Sequence, residues 1–296
     1  MVGKLSIIAS LAVAACAHGA GTLVAHWKFD ETSGATAADS GPNAAHGVLE
    51  GAAAFVSGGV SGNAVRLSTP TNDHVRAPFV PHNSTPFSIG AWVRCSDQDE
   101  FQLIAGRHRS GLVQGYFLAL NTSGTYGQPG KAYAYVSALP GTEPISTTTV
   151  ADGQWRHVLM THGAGDVVSL YIDGRLEASS ASAYVPTGVP FLIGALTLPG
   201  GFASSAFDGD IDDVQFYSGV LNGRQICHIV NNPGSAAAPN IDGDINGDGA
   251  VNFADLNIIL SGFNMTGFCL QGDVDGDGVV GFADLNRLLS NFNSGG

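Results

Sequence analysis

The chain has 296 residues, 12% of them charged and 44% hydrophobic, with 41 glycines. It has apolar residues enough for a core, which excludes a disordered chain, and its glycine-rich, charge-poor balance fits a β domain with many turns. A formal net charge of -13 excludes nucleic acid or an anionic membrane surface as partner, because phosphate is held by clustered Lys and Arg.

The first 17 residues are expected to be a signal peptide. Lys4 supplies the charged start, Leu5 to Ala15 a short apolar run, and Ala15-Cys16-Ala17 a small-x-small cleavage site. The run is too short to span a bilayer. The alternative uses Val13-Ala14-Ala15-Cys16 as a lipobox with Cys16 lipidated. Secretion leaves Cys95, Cys227 and Cys269. Two of them can pair outside the cell, or all can remain thiols, and their spacing does not choose.

From residue 23 to about 232 the text is strand-like. Val24 to Phe29, Phe87 to Val93 and Val167 to Ile172 alternate with period two, and shorter runs follow the same rule at Gln102 to Ala105, Tyr116 to Leu120, Ala132 to Ser137, His157 to Thr161, Phe191 to Ile193 and Asp213 to Tyr217. Asp173-Gly174 between Tyr171-Ile172 and Arg175-Leu176 predicts a type I′ hairpin. No long helical period interrupts the strands, so a β-sandwich or jelly roll is expected. Residues 233–241, small, polar and punctuated by Pro233 and Pro239, read as a linker.

Beyond the linker the chain repeats itself. Gly243-Asp-Ile-Asn-Gly-Asp-Gly-Ala-Val-Asn-Phe-Ala-Asp-Leu-Asn returns as Gly272-Asp-Val-Asp-Gly-Asp-Gly-Val-Val-Gly-Phe-Ala-Asp-Leu-Asn. In the first copy, oxygen donors fall at loop positions 1, 3, 5 and 9, namely Asp244, Asn246, Asp248 and Asn252, with the carbonyl of Ala250 at position 7 and Asp255 at position 12. The second copy offers Asp273, Asp275, Asp277, the carbonyl of Val279 and Asp284, while Gly281 leaves position 9 without a side chain. Gly249 and Gly278 occupy position 6, where the loop turns sharply. This is the spacing that gives calcium its hard oxygen ligands. Loop two, lacking a donor at position 9, is expected to bind more weakly. Leu256, Ile259, Leu260 and Phe263, and again Leu285, Leu288, Leu289 and Phe292, predict an amphipathic helix after each loop.

A doubled half EF-hand of this kind resembles the type I dockerin family over residues 242–293. The resemblance implies two bound Ca2+ ions, folding on calcium, and docking to a cohesin-like protein through loop positions 10 and 11, here Phe253-Ala254 and Phe282-Ala283. A bulky Phe departs from the small or hydroxylated residues common there, so internal packing of the ring is the alternative.

The larger domain resembles the laminin G-like, concanavalin A-like jelly roll. The resemblance is carried by Ala25-His-Trp-Lys-Phe-Asp-Glu-Thr-Ser-Gly, Phe87-Ser-Ile-Gly-Ala-Trp-Val-Arg, Leu170-Tyr-Ile-Asp-Gly-Arg and Phe207-Asp-Gly-Asp-Ile-Asp-Asp-Val-Gln-Phe-Tyr. It implies a lectin-like fold and, in some members, a structural calcium near the first and last strands, for which Asp30 and Asp212 are the candidates. Trp27, Trp92 and Trp155 read as core residues, and the nine histidines as surface or satisfied core groups. Among Tyr116, Tyr126, Tyr133, Tyr135 and Tyr184 an exposed platform for sugar stacking is sought. The five glutamates, Glu31, Glu50, Glu100, Glu143 and Glu177, form no run of the kind a glucanase strand carries. The chain is therefore expected to be a secreted, non-catalytic modular protein binding a glycan or surface polymer. The alternatives are a protein-adhesion or structural surface protein and a divergent glycoside hydrolase.

Overall fold

The computed structural model describes residues 21–77, 84–96, 101–121, 128–137, 143–201, 203–204, 207–238 and 241–295. The expected signal peptide with Cys16, and also Glu100 and Tyr126, lie outside the described residues. Strands β1 (Thr22–Trp27), β2 (Thr36–Ala37), β3 (Gly47–Glu50), β4 (Ala54–Ser57), β5 (Asn63–Leu67) and β6 (His74–Ala77) come first. They are followed by β7 (Phe87–Arg94), β8 (Gln102–Arg107), β9 (Tyr116–Asn121), β10 (Lys131–Val136), β11 (Ile145–Thr149) and β12 (Arg156–His162). The last strands are β13 (Val167–Ile172), β14 (Arg175–Ala181), β15 (Phe191–Ile193), β16 (Leu196–Thr197), β17 (Ala203–Ser204) and β18 (Gly209–Ser218). Helices α1 (Gly223–Asn231), α2 (Phe253–Gly262) and α3 (Phe282–Ser290) close the chain.

Among the described residues the strands form two eight-stranded antiparallel sheets and one two-stranded sheet, β16-β17. Of the large sheets, one runs β14-β13-β12-β7-β18-β5-β4 with β1 also on β18, and the other runs β11-β10-β9-β8-β15-β6-β3-β2. Alternation decides which side chains enter the sandwich. On β9 and β10, Leu118, Leu120, Ala132, Ala134 and Val136 join the main core, while Phe117, Ala119, Tyr133 and Tyr135 form a separate cluster on the opposite face. Trp27 is wholly buried, stacks 5.3 Å from Phe191, and donates its Nε1–H to the Ala45 carbonyl at 3.0 Å. Trp92 is also buried. Trp155 is not: it stays half-buried with the Arg94 guanidinium 4.7 Å above its ring, because it precedes β12 and the cation shields its face in place of apolar packing. The Asp173-Gly174 hairpin forms as expected, both residues having positive φ of 49° and 82°.

Helix α1 is the element the strand pattern did not announce. A capping box between Asn222 and Gln225 starts it, and Ile226 and Ile229 bury its inner side against Leu159, Tyr217 and Leu221 on the outer face of the first sheet. Residues 233–238 also lie against this face. Gly234 N–H donates to Asp213 Oδ2, Ser235 O accepts from Gln215 Nε2, and Ala237 N–H donates to the Tyr217 hydroxyl. This part of the expected linker is a strap, held where its backbone groups find buried partners on β18.

Helices α2 and α3 surround a small core of Val251, Ile259, Val274, Val280 and Leu288. The amphipathic stripes are narrower than expected, since Leu260 and Leu289 point outward at 54% and 51% exposure. Cys227 of α1 is joined to Cys269, 42 residues on, between the two repeats. Closing a loop of that length stabilises the fold by roughly 4 kcal/mol through the entropy of the unfolded chain. Cys95 is a buried thiol with Sγ 3.6 Å from Gln102 Oε1.

The sandwich should be most sensitive at Trp27. Trp27→Ala is expected to cost about 3–5 kcal/mol, read as a lowered midpoint in urea denaturation; a shift worth less than about 1 kcal/mol would mean that the site is not the packed centre of the core.

Candidate functional site

The two acidic loops have one hydrogen-bonding plan. Asp244 Oδ1 and Oδ2 accept from Gly247 and Gly249 N–H at 2.8 and 3.0 Å. Asp273 accepts from Gly276 and Gly278 N–H at 2.8 and 2.9 Å. The position-12 carboxylates brace the loops from behind: Asp255 accepts from Ile245, Asn246 and Asn252 N–H, and Asp284 from Val274, Asp275 and Gly281 N–H. Asp244, Asp255 and Asp284 are buried, whereas Asn246, Asp248, Asp275 and Asp277 face solvent. Gly249 and Gly278 have φ of 93° and 85°, the left-handed conformation that required glycine at position 6.

In loop two, one carboxylate oxygen from each of Asp273, Asp275 and Asp277 lies within 4.8 Å of the others. Burial, and after it the Asp284 carboxylate, raise the Asp273 carboxyl above its ordinary range, against the pull of the Gly278 and Gly276 amides. Like charges this close repel, and a hard divalent cation relieves the repulsion. Asn252 departs from its expected part. Its side-chain oxygen accepts from Ala254 N–H at 2.7 Å and caps α2, so the donor that was to favour loop one is shared with the helix.

Phe253 and Phe282 are 70% and 72% exposed, with Ala254 and Ala283 exposed beside them. Each ring makes an edge-to-face contact with another, Phe253 with Phe292 at 5.1 Å and Phe282 with Phe263 at 5.0 Å. The two pairs repeat one arrangement in the two halves of the module. A cleft of about 630 Å³ separates this module from α1 and is lined by Arg224, His228, Asp242, Cys269, Asp275 and Arg287 among others.

In the sandwich, Asp30 and Asp212 reach the same loop. Asp30 Oδ1 accepts from Asn63 N–H at 3.1 Å and Asp212 Oδ2 from Ser61 N–H at 3.2 Å. A Cβ at Gly59 would stand 2.6 Å from Asp212 Oδ2, so the loop backbone lies tight on the carboxylate. Asp212 is wholly buried and its Oδ1 has no hydrogen-bond partner. Burial pushes its carboxyl up to about 7. Simple alternation placed one of Asp212 and Asp213 outward, but the register of β18 slips after Asp212 and Asp213 has φ of 50°, so both are buried. Burial opposes ionisation of Asp213, yet bonds from His26, Gln215 and Gly234 outweigh it and hold the carboxyl low.

Among the described residues, Tyr116, Tyr133, Tyr135 and Tyr184 do not form the sought platform. Tyr116, Tyr133 and Tyr135 are buried and Tyr184 is half-buried. Tyr133 and Tyr135 instead pack with Phe101, Phe117 and His108 on the outer face of the second sheet. Two histidines are less satisfied than expected, since Nδ1 of His157 and of His162 is buried without a partner.

Residues 69–227 match the family described as the concanavalin A-like lectin/glucanases superfamily. The chain belongs to this superfamily. No curated protein matches it in sequence. Among solved structures, this superfamily member is similar to domain 4 of AbnA, a GH43 extracellular arabinanase from Geobacillus stearothermophilus, determined with arabinotriose. The identity is 20% and the TM-score 0.54, over 70% of this chain and 97% of that one. It is also similar to the binding domain of Paraclostridial Mosquitocidal Protein 1, at 15% identity and TM-score 0.54 over 71% of this chain. A third is the receptor binding domain of botulinum neurotoxin mosaic serotype C/D, at 13% identity and TM-score 0.51 over 71% of this chain. The chain spans about half the length of these last two structures, 52% and 50%. These likenesses show the fold. The described residues contain no helix long and apolar enough to cross a membrane.

His157 gives the sandwich a pH signature. Burial lowers it from 6.5 to about 4, so it is neutral in the fold but takes a proton on unfolding below pH 6.5. Stability is therefore expected to fall as pH drops from 6.5 towards 4. Asp212 acts oppositely, because its raised pKa lets the fold keep a proton between pH 3.8 and about 7. His157→Gln should reduce the loss on acidification and Asp212→Asn should steepen it, measured as melting temperature against pH in a chelator. An unchanged profile in both variants would overturn the assignments.

Proposed function

We propose that the chain is a secreted, non-catalytic binding protein. Its lectin-like sandwich holds a glycan or surface polymer, and a calcium-dependent dockerin-type module docks to a cohesin-like partner. The duplication of the loop plan carries this reading: two copies with different side chains at positions 3, 7 and 9 keep the same carboxylates on the same backbone amides. Loop one would hold Ca2+ through Asp244, Asn246, Asp248, the Ala250 carbonyl, Asp255 and the remaining lone pair of Asn252. Loop two would use Asp273, Asp275, Asp277, the Val279 carbonyl and Asp284. Bound calcium would neutralise the converging carboxylates and lock each loop to the helix behind it.

The exposed Phe253-Ala254 and Phe282-Ala283 pairs supply matching apolar contacts for the partner, since large exposed rings mark interaction surfaces. A third ion, coordinated by Asp30 and Asp212, suits the buried, unpartnered Asp212 Oδ1. Glycan binding is supported by the superfamily and by the likeness to a domain solved with arabinotriose. Three of the described glutamates support a non-catalytic role: Glu50 is held by Arg76 and His74, Glu177 by the Thr147 and Thr148 amides, and Glu31 accepts from Ala38 N–H. Protein adhesion is the second reading, favoured by the likeness to the binding domain of Paraclostridial Mosquitocidal Protein 1 and to a botulinum neurotoxin receptor binding domain.

Calorimetric titration of the full chain should count two calcium ions in the C-terminal module, and Asp277→Ala should remove one. No uptake would end the calcium reading. A further equivalent lost in Asp212→Asn would report the sandwich ion. The double variant Phe253→Ser, Phe282→Ser should abolish capture by a cohesin domain while leaving calcium stoichiometry intact. Affinity electrophoresis in arabinan and related polysaccharide gels should retard native and Phe variants alike, whereas free migration in every polysaccharide would favour protein adhesion.

A further inference from the structure

The segment between α2 and loop two is gripped from two sides. On one side it is the strand partner of loop two: Thr266 bridges Val279, Asn264 N–H donates to Val280 O, Val280 N–H to Met265 O, and Gly267 N–H to Gly278 O. On the other side it is fixed to the sandwich. Cys269 is joined to Cys227 of α1, and its carbonyl accepts from Asn231 Nδ2 at 2.9 Å. At the β13–β14 hairpin, a Cβ on Gly174 would stand 2.6 Å from Cys269 Sγ and 3.6 Å from the Phe268 ring. Glycine in that turn leaves the room the connector occupies.

Loop one is closed differently. Its partner is the end of the chain: Ala250 bridges Gly295, Val251 N–H donates to Ser294 O, and Asn293 N–H to Val251 O. No disulfide holds that segment. The two loops therefore share a plan and differ in whether the strand that clasps them is covalently anchored.

We propose that the Cys227–Cys269 disulfide sets the calcium affinity of loop two and not of loop one. Resting on the calcium reading of the loops, this makes the module sensitive to the redox state of its surroundings at one of two otherwise matched sites. With the bond closed, residues 264–269 are positioned before the ion arrives, so calcium need not supply the cost of ordering them. With the bond reduced, part of the binding free energy is diverted to that ordering. Linkage makes the effect reciprocal: calcium in loop two must oppose reduction of the disulfide by the same factor.

The test uses the full chain. Calcium affinities are measured by calorimetry for the native protein and for Cys227→Ser, Cys269→Ser, each also carrying Asp244→Asn or Asp273→Asn to silence one loop. Loop two is expected to weaken at least tenfold without the disulfide, and loop one less than threefold. Reduction of the native disulfide in a dithiothreitol redox buffer needs no variant and guards against misfolding. Saturating calcium should lower its midpoint potential by about 30 mV for a tenfold coupling. Unchanged loop-two affinity with an unmoved midpoint overturns the proposal, as does an equal loss at both loops. Absence of calcium uptake in the native, oxidised chain overturns the calcium reading itself.

Discussion

Strand β18 has both faces buried, and each face is buried by something different. Ile211, Val214 and Phe216 enter the main core between the sheets. On the other face Asp213, Gln215 and Tyr217 meet the strap of residues 234–237, and Tyr217 packs with Ile226 and Ile229 of α1. Its edges are equally occupied, by β7 on one side and by β5 and β1 on the other. On a face so enclosed, Asp213, Gln215 and Tyr217 find partners in protein groups, several of which belong to the segment leading to the acidic loops. Placement of the C-terminal module thus begins with the hydrogen-bond needs of a sandwich strand.

The module repeats this economy on a smaller scale. Five buried apolar residues make a slender core, too small to order fifty residues unaided. The carboxylates at loop positions 1 and 12 take over much of the ordering by accepting loop amides. Asn252 caps α2 with its side chain and Gly281 has no such bond, yet the position-9 amide of each loop donates to the position-12 carboxylate, so the two loops keep one shape. A further difference lies outside the repeats, in what clasps each loop.

Much of this was legible in the chain. Period-two runs located the main strands because one face of each had to be apolar, and the Asp173-Gly174 turn followed from its need for two positive φ angles. The repeated aspartates marked two loops of one hydrogen-bonding plan, because the carboxylates at positions 1 and 12 must meet the amides of their own turn. What escaped notice depended on contacts distant in sequence. Helix α1 spans nine residues, too few for a clear period, though Asn222 with Gln225 three residues on was a readable capping signal. The strap resembled a linker because its small polar residues carry no pattern, and Asp213, Gln215 and Tyr217 give them partners distant in sequence. Asp212 and Asp213 defeated alternation because a register slip follows them. The pairing of Cys227 with Cys269 required knowing that α1 faces the connector.

The anchored strap changes how two bound objects would be related in space. A flexible linker would let the module sample a volume set by chain statistics, and the second binding event would depend on effective concentration. Here residues 234–237 are hydrogen-bonded to β18 and the connector is covalently tied to α1. The molecule therefore acts as a bracket rather than a leash. A ligand on the sandwich and a protein on the Phe253–Phe282 surface would be held at one separation and one angle, so that force applied to either is transmitted through β18.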